Sequence, residues 1–224
     1  MTPQEENRTL PVLPIKNTVL YPYLLMPLSV GRPHSIAAVE AASASEDKTL
    51  FVVAQRDASV EELSFDRLFT IGTEAVIKRM ERSGDTIQLI VQGTRRLQVV
   101  AGKQTEPFLQ ADLRALLEPQ DRDAEVDALA RTMVELAGQI QAMSMPDAQM
   151  SISQILTQFK DPLHQAYLLA SMLSLDLEKE QQLLEADTRL SALRLMHEFM
   201  RHEVQIAELR EKISSQAQSE MSRE

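Results

Sequence analysis

The order of apolar and polar positions changes character near residue 118. Before it, apolar residues come in short, often β-branched runs bounded by Gly, Pro or Asp. That grammar predicts strands at Leu10–Ile15, Leu24–Val30, Thr49–Gln55, Thr70–Met80, Thr86–Gln92, Leu97–Gly102 and Phe108–Leu116. The clearest hairpin is AVIKRMERSGDTIQLIVQG: Ser83-Gly84-Asp85 supplies the turn, and Ile87, Leu89 and Val91 alternate onto one face. One helix interrupts the strands, starting after Gly31 with Pro33 in its first turn and running through HSIAAVEAASAS.

After residue 118 only one of the six glycines remains, Gly138, and the apolar period becomes 3.6. Val126, Leu129, Met133, Leu136 and Ile140 mark a helix over Asp121–Met143, followed by a break at Met145-Pro146-Asp147. Ile152, Ile155, Leu156 and Phe159 mark the next helix. Asp161-Pro162 provides an N-cap and an N1 proline for Leu163–Leu173, and Asp176 caps a short helix ending near Leu184. Asp187 opens a last helix to Ile213, about 40 Å long at roughly 1.5 Å per residue. Its stripe is Leu190, Leu193, Met196, Met200, Val204 and Ala207. The expected organisation is therefore a β-rich subdomain over 1–118, a helical bundle over 119–213 and a polar helical tail over 214–224. The fold class is α+β.

One stretch breaks the even distribution of apolar residues. LPVLPIKNTVLYPYLLMPLSVGR, Leu10 to Arg32, is strongly apolar yet cut by four prolines. The residues before it are polar and carry two glutamates, unlike a secretory or transit signal. Lys16, Asn17 and the prolines interrupt it too often for a membrane helix, which needs about 20 apolar residues in a row. An accessible apolar surface is the remaining functional reading, against the plainer one of ordinary core strands. Tyr21, Pro22, Tyr23, Leu25 and Met26 are its candidates, with Tyr21, Tyr23 and Leu25 expected to point outward. Methionine adds a second set. Eight of eleven lie beyond residue 118, and Met143, Met145 and Met150 flank the proline break. Flexible, polarizable methionine suits both interhelical gaps and promiscuous binding surfaces.

Composition narrows the chemistry. There is no cysteine, which excludes disulfides and thiolate metal sites. The net charge of −10 is uneven: residues 1–118 carry 13 basic and 15 acidic groups, residues 119–224 carry 10 and 18. The acidic half is a poor match for a phosphate backbone. Lys78-Arg79 with Arg82, and Arg95-Arg96, are the basic groups of the first half, and solvated strand charges are their simplest reading. No GxxxxGK[ST], GxGxxG or GxSxG occurs. His197 and His202 are five apart, not the four that puts two histidines on one helix face for zinc. No catalytic, cofactor or metal site is expected in these residues.

The opening run together with IGTEAVIKRMERSGDTIQLIVQGTRRLQVV, EPFLQADLRALLEP and the segment from LLASMLSLDLEKE to ELREKI resembles the Lon N-terminal domain over nearly the whole chain. Lys16-Asn17 stands where that family often has Arg-Asp or Arg-Glu, and Tyr23 where it often has glycine. The resemblance implies a PUA-like pseudo-barrel followed by a helical bundle that ends in a long helix. It implies a domain that recognises unfolded, damaged or degron-bearing proteins and supports hexamer assembly, in the cytoplasm, without nucleic-acid or membrane partners. ATP and Mg, with a serine–lysine protease, would belong to modules absent from these residues, and the tail looks like a chain cut before the ATPase module. Alternatives are a stand-alone LON-domain binding protein and a PUA-like RNA-binding module.

Overall fold

A computed structural model describes residues 7–145 and 147–221, with side-chain exposure assigned up to residue 216. The elements are β1 (Asn7–Ile15), β2 (Leu25–Val30), α1 (Pro33–Ala44), β3 (Thr49–Ala54), β4 (Ile71–Ser83), β5 (Thr86–Gln104) and β6 (Gln110–Ala115). The helices α2 (Ala124–Ser144), α3 (Ile152–Leu156), α4 (Pro162–Met172), α5 (Leu177–Glu185) and α6 (Arg189–Met221) follow. The chain forms two compact units, one of Met1–Glu118 with Leu175–Glu185, the other of Pro119–Ser174 with Ala186–Glu224. Helix α5, expected in the helical bundle, therefore belongs to the β unit.

In the β unit the strand order is β2-β5-β4-β3-β1-β6, and β5 pairs again with β6. The sheet thus closes through five strands into a pseudo-barrel, with β2 added along β5. Only β1 and β3 run parallel; the other pairs are antiparallel. The hairpin forms as expected, with Ser83 paired to Thr86 around Gly84-Asp85 and Gly84 at φ +61°.

Strand β5 is the main departure from the expected pattern. Thr86–Gln92 and Leu97–Gly102 are one continuous strand, because Gly93 and Thr94 form a bulge rather than a break. Glu74 pairs with Arg95 and Ala75 with Gly93, so Thr94 is the extra residue; its hydroxyl returns to Glu74 at 2.9 Å from Oε2. The bend lets the first half of β5 hold β2 and the second half hold β6.

Every residue of β3 is buried, so alternation sends its side chains into two cores. Leu50 and Val52 join Leu13, Val39 of α1 and Val91. Phe51 and Val53 join Val12, Leu97 and Leu113.

The helical unit is built on α2 and α6. Val126, Met133 and Ala137 of α2 are buried, as are Ala192, Leu193, Met196 and Met200 of α6, and Leu163, Ala166 and Tyr167 of α4. Asp123 caps α2 by accepting from Val126 N at 2.9 Å, and Asp161 caps α4 through Leu163 N at 2.9 Å. Asp121 lies outside α2 and caps α6 instead, accepting from Arg189 N at 2.7 Å and Leu190 N at 3.0 Å. Burial acts to raise the Asp121 pKa, but those backbone bonds and Arg189 outweigh it and hold it below the usual carboxylate range. Among the described residues no helix is long and apolar enough to cross a membrane.

Candidate protein-contacting surfaces

Tyr21-Pro22-Tyr23-Leu24 is a tight turn. Proline fixes the first central position, Tyr23 takes φ +69° at the second, and Leu24 N donates to Tyr21 O at 3.4 Å. That is the pattern of a type II turn, whose second central position favours glycine. The turn lies against β5: Tyr23 N donates to Gly93 O and Gly93 N to Leu24 O, both at 2.9 Å. The approach is so close that a Cβ on Gly93 would sit 2.4 Å from Tyr21 O. Thr73 Oγ1 adds a bond to Leu20 O at 2.5 Å.

This seat divides the sequence candidates. Tyr21, expected outside, is only 1% exposed. Its ring is buried and its hydroxyl donates to Glu180 O in α5 at 3.0 Å. Pro22 is buried as well. Met26 is half-buried, packed with Leu28 against the core. Tyr23 and Leu25 do face solvent, at 41% and 62%. The Tyr23 hydroxyl donates to Glu118 Oε2 at 2.9 Å, which orients a ring that the turn pushes outward. Strand β2 is the last in the sheet order, and Pro27 on it withholds one backbone donor. Apolar side chains are thereby displayed on a strand ill-suited to pairing edge to edge.

Helix α5 is why Tyr21 turns inward. Glu180 accepts from Val19 N at 2.9 Å, Gln181 Nε2 donates to Ile71 O at 2.9 Å, and Arg96 Nη1 donates to Leu184 O at 2.9 Å. Burial raises the Glu180 pKa, and the bonds from Val19 and Thr18 only partly offset it. Arg96, a candidate nucleic-acid contact by sequence, is thus a buried brace that also donates to Leu117 O at 3.0 Å. Arg95 pairs with Glu74 at 2.9 Å, Arg82 with Glu40 at 2.8 Å and Arg79 with Glu81 at 3.2 Å. The four arginines of these groups have carboxylate or carbonyl partners, which gives the RNA reading no support. Ser45, three residues before Lys48 in a spacing some serine–lysine hydrolases use, donates its hydroxyl to Ala42 O at 2.6 Å. That bond and one to Asp47 Oδ1 at 3.2 Å tie it to the end of α1.

The helical unit holds the methionine candidates. Met145 and Met150 are each 63% exposed, whereas Met143 is half-buried. Pro146 lies outside the described residues. Met145 and Met150 line an apolar cavity of about 240 Å³, with Ile140, Ile155, Met172 and Met200. Gln141 straps the loop in place. Its Nε2 donates to Met150 O at 2.5 Å and its Oε1 accepts from Ile152 N at 2.8 Å. Neither Gln141 nor Met172 stood out in the sequence, because each is significant only for what a distant segment brings to it. By sequence Gly93 marks the end of a strand, not the seat of residues 21–24.

The chain matches the model of the ATP-dependent protease La (LON) substrate-binding domain over residues 9–202. It is 49% identical over 216 residues to the Lon protease of Nitrosococcus oceani, covering 96% of this chain and 28% of that protein. To Lon protease 1 of Bacillus subtilis it is 29% identical over 221 residues, covering 98% and 28%. The chain thus spans under a third of the length of these relatives. Among solved structures, the N-terminal domain of Mycobacterium avium complex Lon protease aligns with TM-score 0.68 at 24% identity, over 87% of this chain and 98% of that one. The Lon N-terminal domain protein from Xanthomonas campestris aligns with TM-score 0.58 at 17% identity, over 84% and 95%. Those structures share the fold of this α+β chain, and the sequence match identifies its lineage: it belongs to the Lon protease substrate-binding domain family.

Proposed function

We propose that this domain captures unfolded, damaged or degron-bearing proteins and passes them to ATPase and protease modules of a longer, cytoplasmic, hexameric Lon-type protease. Those modules would need ATP and Mg; this chain would contribute recognition and support assembly. The observation that carries the reading is the display of large apolar side chains on rigid supports. Tyr23 stands out from a turn bonded to β5 and Leu25 from the start of β2, and Met145 and Met150 border an apolar cavity. An unfolded chain differs from a folded one chiefly in its exposed apolar groups, and such patches are suited to reading that difference.

The test is binding of a reduced and alkylated, permanently unfolded protein, followed by fluorescence anisotropy. Leu25→Glu and Met150→Glu should each weaken binding. Removing one well-buried apolar contact is worth about 1.5–3 kcal/mol, or roughly 10- to 100-fold. Both residues face solvent, so melting temperatures should hold. Unchanged binding in both variants, or a collapse of their stability, would overturn the assignment.

A further inference from the structure

A second cavity, of about 410 Å³, lies within the β unit where the chain enters α1. Leu13, Ile15 and Val30 supply apolar lining, while Lys16, Arg32, Ser35 and Glu61 supply the polar groups that matter. None of these belongs to the surfaces described above.

Three independent features there call for an anion. First, α1 has no side-chain cap: Arg32 occupies the N-cap position and Pro33 the next, so neither supplies a capping oxygen. Pro33 has no N–H and Ile36 N donates to Arg32 O at 2.9 Å, so the N–H groups of His34 and Ser35 are the ones left without a side-chain cap. Second, Ser35 is 2% exposed and its Oγ has no hydrogen-bond partner. A buried hydroxyl without a partner is costly unless something fills the site. Third, the Arg32 guanidinium is half-buried, and its hydrogen bonds go to neutral acceptors, Gln55 Oε1 at 3.0 Å and Pro14 O at 2.8 Å. Burial lowers its pKa, with Glu61 acting the other way.

Glu61 is the one carboxylate in the lining. It pairs with Lys16 Nζ at 2.6 Å, but its side chain is 73% exposed. An ion pair that open is weak and easily exchanged. With Lys16, Arg32 and Glu61 together the cavity carries one net positive charge, which suits a monoanion better than a phosphate dianion. The apolar wall suits a body carried behind that anion.

We propose that this cavity binds the terminal carboxylate of a peptide whose last side chain is apolar, with Glu61 as a resident stand-in that the ligand displaces from Lys16. Ser35 Oγ and the free N–H groups of the first turn of α1 donate to the carboxylate. Lys16 and Arg32 balance its charge, and half-buried Leu28, backed by the core residues Leu13, Ile15 and Val30, meets the terminal side chain. This extends the substrate-recognition reading and rests on it for the kind of ligand.

The experiment titrates the 224-residue chain into a fluorescein-labelled hexapeptide ending in leucine, as the free acid and as the C-terminal amide. Inorganic phosphate serves as competitor. The acid should bind at least roughly tenfold more tightly than the amide, the scale of a charge-assisted hydrogen bond. Lys16→Gln should lower acid binding and leave amide binding alone, Ser35→Ala should lower it a few-fold, and Glu61→Gln should raise it. Opposite signs at Lys16 and Glu61 separate a binding role from loss of fold. Equal affinity for acid and amide overturns the proposal, as does an unchanged acid affinity in both Lys16→Gln and Glu61→Gln. Phosphate binding as tightly as the acid makes the site a small-anion site and overturns the peptide assignment. Leu25→Glu separates the two readings. It should weaken capture of the unfolded protein while the acid–amide difference persists, and each result fails independently of the other.

Discussion

Gly93→Ala tests the central contact of the β unit, the seat of the Tyr21–Leu24 turn on β5. An added Cβ would meet Tyr21 O at 2.4 Å and Thr73 Cγ2 at 3.1 Å. A comfortable contact needs about 3.5 Å, so the turn must retreat by roughly 1 Å. The nearest obstacle is backbone, which has no rotamer to swing aside. Retreat lengthens both 2.9 Å bonds between Gly93 and the turn. Overpacking costs about 1–3 kcal/mol and weakening the two bonds about 0.5 kcal/mol each, giving roughly 2–4 kcal/mol. At roughly 2–4 °C per kcal/mol for a protein of this size, the melting point should fall by about 4–16 °C. Differential scanning calorimetry is the assay, because two units need not melt together. Gly31→Ala is the control: its nearest contact would be Thr86 Cγ2 at 3.4 Å, an ordinary separation. A Gly93→Ala variant melting within a degree of both the parent and this control would refute the geometry of the seat. Binding of the unfolded protein should fall with stability, since Tyr23 and Leu25 move with the turn.

Glu180→Gln should change how stability depends on pH. Burial raises the folded pKa of Glu180, so its contribution is fully present below the usual value of 4.5 and is lost as pH rises through the folded pKa. Glutamine still accepts from Val19 N and carries no charge, so the variant's advantage should grow from acid toward neutral pH in urea titrations. An advantage that stays flat with pH would sink this account. Asp121→Ala removes the cap of α6 and should cost about 1–2 kcal/mol at neutral pH. Because its folded pKa is depressed, the difference from the parent should shrink as pH falls through the folded value.

Local order was legible where neighbours in sequence decide it. The Ser83–Asp85 hairpin, the Asp161-Pro162 start of α4 and the α2 stripe through Val126 and Met133 each follow from a few adjacent residues. What escaped depends on distant partners. Gly93 looked like the end of a strand, yet opposite Ala75 it is part of a bulge within one. Tyr21 looked like surface because its partner, the backbone of Glu180, lies 159 residues away. Asp121 reads as the start of the helix beside it, but its carboxylate reaches α6. Alternation says only that some side chains of Leu24–Leu28 face outward; of the three residues expected outside, Tyr23 and Leu25 are exposed and Tyr21 is not.

The membership of α5 in the β unit has a consequence for how the protein is made. Leu175–Glu185 emerges from the ribosome long after Glu118, at about 5–20 residues per second a delay of several seconds. Until then the nascent pseudo-barrel holds Val19 N, the Tyr21 hydroxyl and Arg96 with no α5 to bond them. Translation therefore delivers the helix that completes the barrel only after α2 to α4 have appeared. A gene cut at the apparent domain boundary near residue 118 would yield a barrel permanently waiting for it.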